Sequence, residues 1–590
     1  MSRLSTDYLA LWSAYPNRPL RESHSITLQA LAEVWFCTPR NAKNIVAKLK
    51  QAGWILFEPG LGRGNVSHIT LLADPSELLY EEAVESAKAG KIEEALQLIK
   101  AYDQGAVKER FMSWLSGYFG HELSKEEDTY IETIRLPIYQ PIHTLDPAEC
   151  FYSLDGHMTK QIYDTLTECD STTGEIRPAL AHSWRCNEAA TEWTFFLRKG
   201  VRFHHGKELD AGDVLYTFER LKRHFPAQQW LVNSIREVQR LGKYCVRFVL
   251  DRPHHLFLHY VAYVHTSIVP SDGAERKGTG PYMLKHYSPG KTVLEVYPDY
   301  YQTRGHIDVV EVLNVPESDE CIECLTDHSF LLMINPSVSE YGGRGEWEQS
   351  EEMVTGTNVL TFNLRKEGPL RDERLRQAIT HCIDRRKIVV ELGGPRFYPA
   401  RGFRLRLRPS FTDPDFWGDR VFELLKGSSY QGEVLRMYIY KRHEQDAYWL
   451  KSYLESYGIH VEPTVLSWRE LLDPSKQAEA DLILFQAVVH EREGSLEELM
   501  QSGYSFVVNH LSPEIHTELE AGVNRLLAEP TAAGREACFS SIEKLLRERY
   551  ALVYLVHKNG TAFSHPRVKG IKVNEKGWID FKNIWFDTVD

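Results

Sequence analysis

From about Thr129 to Asp590, short apolar runs of strand length alternate with amphipathic helical stretches, and no segment repeats an earlier one. Alternation of this kind buries its apolar faces by laying helices against sheets. Roughly 460 residues of it exceed what a single hydrophobic core supports, so the expectation is an α/β body of at least two lobes. Composition supports a folded chain throughout. Of 590 residues, 43% are apolar and 26% charged, which excludes a mainly disordered, collagenous or coiled-coil protein.

The body offers no constellation for catalysis. Gly-x-x-x-x-Gly-Lys, Gly-x-Ser-x-Gly and His-Glu-x-x-His are all absent. His204-His205 and His254-His255 are adjacent pairs, and neighbours in a strand point to opposite faces, so neither makes a two-His clamp. Both pairs are expected at the surface or at a pocket edge. Cys321-Ile-Glu-Cys324 has zinc-like spacing without a second Cys or His pair at matching distance. No metal, cofactor or catalytic residue is therefore expected, and the chain is not read as an enzyme. Nine irregularly spaced cysteines read as reduced thiols.

The first 72 residues follow a different pattern: three helices and a hairpin. Asp7 to Trp12 is an apolar first helix. Thr27 to Trp35 is a second, with Leu28, Leu31 and Trp35 on one face. After the turn Phe36-Cys37-Thr38, Thr38 is placed as an N-cap with Pro39 at the first helical position, and a third helix runs from Arg40 to about Gln51. At 100° per residue, Ala42, Ile45, Val46 and Leu49 form one stripe. Arg40, Asn44 and Lys48 lie opposite, flanked by Asn41 and Lys43. A helix held by one apolar stripe and presenting Arg, Lys and Asn to solvent suits a DNA major groove, where Arg reads guanine, Asn reads adenine and Lys holds phosphate. Trp54–Phe57, a Gly-rich turn carrying Arg63 and Asn65, and Val66–Leu71 complete a winged helix-turn-helix.

Charge is partitioned accordingly. Residues 1–72 hold eight Lys and Arg against four Asp and Glu, a net +4, whereas the whole chain carries −13, leaving −17 on the remainder. A basic head on an acidic body is the distribution of a DNA reader joined to a domain that does not touch DNA. Between them, residues 73–128 read as a helical collar. Asp74-Pro75-Ser76-Glu77 opens its first helix, Ile92–Ile99 forms a second, and Phe111, Trp114, Leu115, Tyr118 and Phe119 mark a third. Ser124-Lys-Glu-Glu-Asp128 is expected to be a polar hinge into the body.

Within the body, Ile162–Leu166, Thr173–Trp184, Trp193–Gly206, Leu209-Asp-Ala-Gly-Asp-Val214 with Thr217–Leu221, and Gly278-Thr-Gly-Pro-Tyr282 succeed one another. Phe362-Asn-Leu, Leu375–Ile379 with Ile383–Ile388, and Leu454-x-x-x-Gly458-Ile-x-Val461 follow. In this order they resemble the family 5 extracellular solute-binding proteins, the oligopeptide, dipeptide and nickel receptors of ABC transporters. The full layout, a winged helix ahead of such a domain, resembles the SgrR-type transcriptional regulators. The resemblance implies a multidomain chain: a winged-helix head at 1–72, a helical collar at 73–128, and a two-lobed periplasmic-binding-protein-like body of the large peptide-receptor type at 129–590. Its second lobe is expected at about 358–554, with lobe crossings near Thr355–Leu360 and Leu552–Val556.

Peptide receptors of that family carry a Trp-x-x-Asp-x-x-Asp-Pro-like segment whose Asp pairs with the peptide α-amino group. Here Ala487 stands for the Trp and His490 for the Asp, with Glu491 and Glu493 close by. A buried ammonium without a carboxylate partner is costly, which argues against ordinary peptide binding. Tyr152, Trp468, His490 and Glu491 are the candidate ligand residues. Thr38, Arg40, Asn41, Lys43, Asn44, Lys48, Arg63 and Asn65 are the candidate DNA residues.

The functional expectation is a cytoplasmic, ligand-sensing transcriptional regulator. Its partners would be double-stranded DNA and a small solute (sugar, sugar phosphate or short peptide-like), with no membrane and a possible homodimer. The first thirty residues offer no export signal. The alternative expectation is an oligopeptide-type transport receptor with an atypical N-terminal extension.

Overall fold

Thr27 and Thr38 each accept a hydrogen bond from the backbone N–H three residues on, at Ala30 (3.1 Å) and Asn41 (3.3 Å), and so start α2 (Leu28–Val34) and α3 (Pro39–Gln51). With α1 (Arg3–Ala14) these helices pack on a sheet of β1 (Ser23–Ile26), β3 (Ser67–Leu71) and β2 (Ile55–Glu58), all antiparallel in that order. Tyr8, Leu11, Leu31, Ile45, Val46, Leu49, Ile55, Ile69 and Leu71 fill one core beneath them. β1 is an element the sequence pattern does not announce, since only Ile26 of its four residues is buried. The computed structural model describes residues 3–15, 19–60, 66–102, 105–126, 129–170, 173–316, 321, 332–334, 348–349, 353–405, 413–488, 496–560, 562–564, 567–571 and 579–587.

The chain divides into two compact units. The first holds residues 1–143 together with 284–295 and 307–331. In it the winged head is fastened to the collar: the Ser5 hydroxyl donates to Glu82, and Tyr8 Oη donates to the Ala73 carbonyl at 2.6 Å. The collar comprises α4 (Pro75–Lys88), α5 (Ile92–Tyr102) and α6 (Ala106–Tyr118). Arg110 joins α6 to α4, lying 2.5 Å from Glu77 and 3.8 Å above the Tyr80 ring.

The expected hinge at Ser124–Asp128 is corrected by the structure. Ser124 to Glu126 belong to β4 (Gly120–Glu126), which pairs antiparallel with β5 (Thr129–Ile138) from Gly120↔Arg135 to Glu126↔Thr129. β5 in turn pairs parallel with the strand Val309–Asn314, the next member of a five-stranded sheet completed by Lys291–Val296 and Tyr282–Tyr287. β4 is the sheet's edge, and its Ser-Lys-Glu run is charged because an edge strand faces water and must not recruit other strands. Glu311 gathers cations at the sheet, with Arg135 Nε at 2.9 Å and Lys291 Nζ at 3.0 Å, while the Arg135 guanidinium sits 4.5 Å above the Tyr118 ring. Lys291 also donates to the Lys88 carbonyl at 3.0 Å.

The second unit holds residues 144–283, 296–306 and 332–590. Its four-stranded antiparallel sheet runs in the order Ile235–Gly242, Cys245–Leu250, Glu192–Leu197, Ala181–Cys186. The Leu209-Asp-Ala-Gly-Asp-Val214 motif starts a helix, Ala211–His224, with a reciprocal capping box between Asp210 and Asp213. The fully buried Asp213 carboxylate also takes Lys207 and the Ser271 N–H (2.8 Å), so this motif fixes the fold. A six-stranded mixed sheet runs Arg396–Pro399, Leu552–Gly560, Met353–Phe362, Leu482–Ala487, Leu435–Ile439, Val461–Val465. The two segments expected as lobe crossings are neighbours in it, paired at Val359↔Tyr554 and Leu360↔Val553. One apolar core continues through both sheets.

His254 corrects another expectation. It is completely buried, its ring 4.3 Å from Tyr260, rather than at the surface or a pocket edge. Burial holds the imidazoles of His157, His254 and His443 down at about 3 and those of His204, His510 and His557 at about 4. All six lie in the second unit.

Two predictions follow from this packing. Folded-state values below the unfolded value of about 6.5 mean that the six neutral imidazoles stabilise fully above pH 6.5 and lose that contribution as pH falls toward 4. Each should forfeit roughly 1.4 kcal/mol per pH unit in that window. Urea unfolding followed at pH 7.5, 6 and 5 should show a steep fall; a flat profile would remove the buried-neutral assignment. In the first unit, a Cβ on Gly290 would stand 1.8 Å from the Gly90 carbonyl oxygen. Gly290→Ala should therefore destabilise that unit by about 1–3 kcal/mol in thermal melts, whereas Gly242→Ala, with open space at its Cβ, should cost much less.

Candidate functional site

Two separate sets of residues carry the candidate chemistry. On α3, Ala42, Ile45, Val46 and Leu49 are buried, while Arg40, Lys43, Asn44, Ala47 and Lys48 are exposed and Asn41 is half-buried. Thr38 is exposed, its hydroxyl oxygen occupied by the cap to Asn41. The cationic face exists because the helix needs only one stripe for packing, leaving the rest to solvent. Ala47, absent from the sequence-based candidates, completes this face with a methyl group of the size that meets a thymine methyl. Arg63 and Asn65 lie outside the described residues.

The second set lies in the second unit. Tyr152, N-cap of the helix Ser153–Ile162, and Trp468, first residue of the helix Trp468–Leu472, are far apart in sequence, yet their ring centroids are 5.9 Å apart. Phe151 stands 5.5 Å from Trp468 and 4.8 Å from Tyr504, and Tyr440 packs edge-on against Trp468 at 5.0 Å. His490 and Glu491 lie outside the described residues. Sequence reading found two of these aromatics and missed Phe151, Tyr440 and Tyr504, because nothing local marks residues assembled from such distant segments.

Beside the aromatic group lies a buried polar one. The His443 ring is 4.5 Å from Tyr440, and neither of its nitrogens has a hydrogen-bond partner. The Trp468 indole N–H and the Asn358 amide oxygen are likewise buried and unpartnered. Asp446 receives Arg396 through both Nε and Nη2 at 2.9 Å, Lys558 at 3.3 Å and the Asn358 amide at 3.1 Å. Burial alone would raise the Asp446 carboxyl, but Arg396 and Lys558 outweigh it and hold the group below its ordinary value. Burial pushes Lys558 down. Burial also lifts the Tyr440 hydroxyl to about 12, keeping it a neutral donor. Aromatic faces with neutral donors and acceptors can wall in a small polar solute.

Among the described residues, no group of three or more His, Cys, Asp or Glu is arranged to hold a metal ion, and Cys324 lies outside them. No helix among them is long and apolar enough to cross a membrane.

Comparison with known proteins places both parts. Residues 175–490 match the family described as bacterial extracellular solute-binding proteins, family 5 Middle. Residues 3–122 match the family described as sugar transport-related sRNA regulator N-term. The uncharacterized protein YhjP of Bacillus subtilis (strain 168) is 31% identical over 573 residues, 96% of each chain. The HTH-type transcriptional regulator SgrR of Yersinia pestis (strain Pestoides F) is 25% identical over 599 residues, 99% of each chain.

Among solved structures, the periplasmic binding protein DppA of Helicobacter pylori in complex with peptide STSA superposes with a TM-score of 0.67 at 21% identity, over 77% of this chain and 98% of that one. The dipeptide-binding protein of Pseudoalteromonas sp. SM9913 in complex with Met-Leu gives 0.68 at 20% identity, over 77% and 100%. These likenesses identify the body's fold as that of the two-lobed solute-binding proteins. The matched families are regulators and solute-binding proteins, not enzymes. With a regulator module and a solute-binding body on one chain, aligned end to end with SgrR, the protein belongs to the SgrR-type transcriptional regulators, whose body is a family 5 solute-binding domain.

Proposed function

We propose that this chain is a cytoplasmic regulator that reads duplex DNA through α3 and senses a small solute in the cleft of its body. The observation that carries the reading is the division of α3: four apolar side chains buried, and Arg40, Lys43, Asn44 and Lys48 turned to solvent on a basic head. Lys and Arg there neutralise phosphates and release counterions, so affinity should fall steeply with salt. In this reading Arg40 and Asn44 supply base-edge contacts, and Arg63 and Asn65 are further DNA contacts. A homodimer would set two copies of α3 on half-sites about one helical turn apart, roughly 34 Å.

The solute would lie against Tyr152 and Trp468, within reach of the unpartnered indole N–H and the His443 ring, and His490 and Glu491 are the further ligand residues of this reading. A sugar, a sugar phosphate or a short peptide-like molecule fits aromatic walls and neutral polar groups. Such a solute regulates only through its different affinities for the open and closed body.

Two measurements test the halves separately. In electrophoretic shift assays on genomic fragments, Arg40→Ala combined with Lys43→Ala should weaken DNA binding by about 100-fold or more and flatten its salt dependence. Unchanged affinity would reject α3 as the reading helix. In thermal shift scans of the full-length protein against sugars, sugar phosphates and di- and tripeptides, a true ligand at a hundredfold excess over Kd should stabilise by about 2.7 kcal/mol. That shift should vanish in Trp468→Ala, and its persistence would move the site elsewhere.

A further inference from the structure

α2 ends in a Schellman motif: the Phe36 N–H donates to the Glu33 carbonyl at 3.2 Å and the Cys37 N–H to the Ala32 carbonyl at 2.9 Å. The closing residue of this motif takes left-handed backbone angles and is ordinarily glycine, because a Cβ there crowds the chain. α3 and α4 obey the rule, closing on Gly53 (φ +73°) and Gly90 (φ +83°) with the same pair of bonds. α2 closes instead on Phe36, at φ +46°.

A bulky residue in that position needs compensation, and elsewhere in this protein one such residue has it. Tyr550 closes the helix Ala532–Glu548 in the same way, at φ +47°. Its ring packs 5.5 Å from His381, and its hydroxyl lies 3.0 Å from His381 Nε2. Phe36 has no such return. The residue is 97% exposed, and its ring packs on no other ring among the described residues. The turn therefore combines an unfavourable backbone with a wholly solvated aromatic ring, and a glycine would relieve both.

We propose that Phe36 is a DNA contact, its ring packing on the apolar thymine-methyl and sugar edge beside the groove that α3 enters. This rests on the reading of α3 as the recognition helix. Phe36 lies three residues before Pro39, the first residue of α3, and helix-turn-helix proteins present the N-terminal residues of that helix to base edges. The apolar surface of bases in the major groove is the thymine methyl, which Phe can meet. Charge favours DNA over a second copy as the occupant. Phe36 precedes the exposed cations Arg40 and Lys43 by four and seven residues, and like-charge juxtaposition of two such segments opposes self-docking while a polyanion is drawn to them.

The experiment uses full-length protein and the duplex enriched from a random 40-base-pair pool by wild type. Wild type, Phe36→Gly, Phe36→Asn and Arg40→Ala are compared for melting temperature, self-association and affinity. Affinity is measured on the enriched duplex and on the same duplex with deoxyuridine in place of thymidine. Phe36→Gly should melt at or above the wild-type temperature yet bind at least about tenfold more weakly, with Phe36→Asn alike. Removing the thymine methyls should weaken wild type by a clearly larger factor than it weakens Phe36→Gly, in which only the Ala47 methyl remains to meet them. Wild-type affinity in Phe36→Gly beside a loss in Arg40→Ala overturns the role of Phe36 and spares the reading of α3. Loss of self-association without loss of DNA affinity assigns the ring to a second copy and overturns it too. A lowered melting temperature in both Phe36 variants would show that the ring packs within the protein. Failure of wild type to enrich any duplex removes both this contact and the recognition helix.

Discussion

The parallel pairing of β5 with Val309–Asn314 decides how the molecule is divided. It draws residues 284–295 and 307–331, which lie inside the segment matched to the solute-binding family, into the unit that contains the winged head. The pairing is secured across the sheet by Glu311, which meets Arg135 and Lys291 while the Lys291 ammonium also reaches the Lys88 carbonyl of the collar. Charges so placed and shielded hold geometry better than exposed surface pairs do. The head is consequently not a bead on a tether. It shares its unit with strands whose chain passes to or from the second unit at residues 144, 283, 296 and 306. Several covalent connections therefore leave that unit where a linker reading allowed one.

The motifs that carry the family resemblance and the candidate ligand residues are different residues. Asp210 and Asp213 are engaged in capping, and Arg385, buried against Asp413, is engaged in holding the chain segment to the Tyr554 carbonyl. Such residues serve the fold. The aromatic group around Trp468, by contrast, belongs to no motif.

The head was legible because its determinants are local: caps, a 3.6-residue stripe and a turn, all within a few residues of one another. β1 escaped because four residues with one buried side chain carry no alternation. The hinge was misread because a charged edge strand and a charged linker look alike in sequence, and only the partner strand distinguishes them. Tyr152 and Trp468 were found through the family resemblance. Their neighbours Tyr440, His443 and Tyr504 were not, since Tyr440 and His443 share one short turn and Tyr504 reaches the group from a distant segment. His254 was misplaced for a similar reason: two adjacent histidines look polar, yet one is enclosed by Phe257 and Tyr260.

The five-stranded sheet also sets a timetable for biosynthesis. A ribosome releases the winged head early, and among the described residues its core reaches no further along the chain than Leu78. The platform to which it is fastened must wait, because β5 has one neighbour in β4 and receives the other only when Val309–Asn314 has been made. Non-local parallel pairing is slow, and an unpaired strand edge is adhesive until it is covered. During that interval the nascent chain carries a finished head on an unfinished base, so completion of the regulator is gated by translation through more than half of its own message.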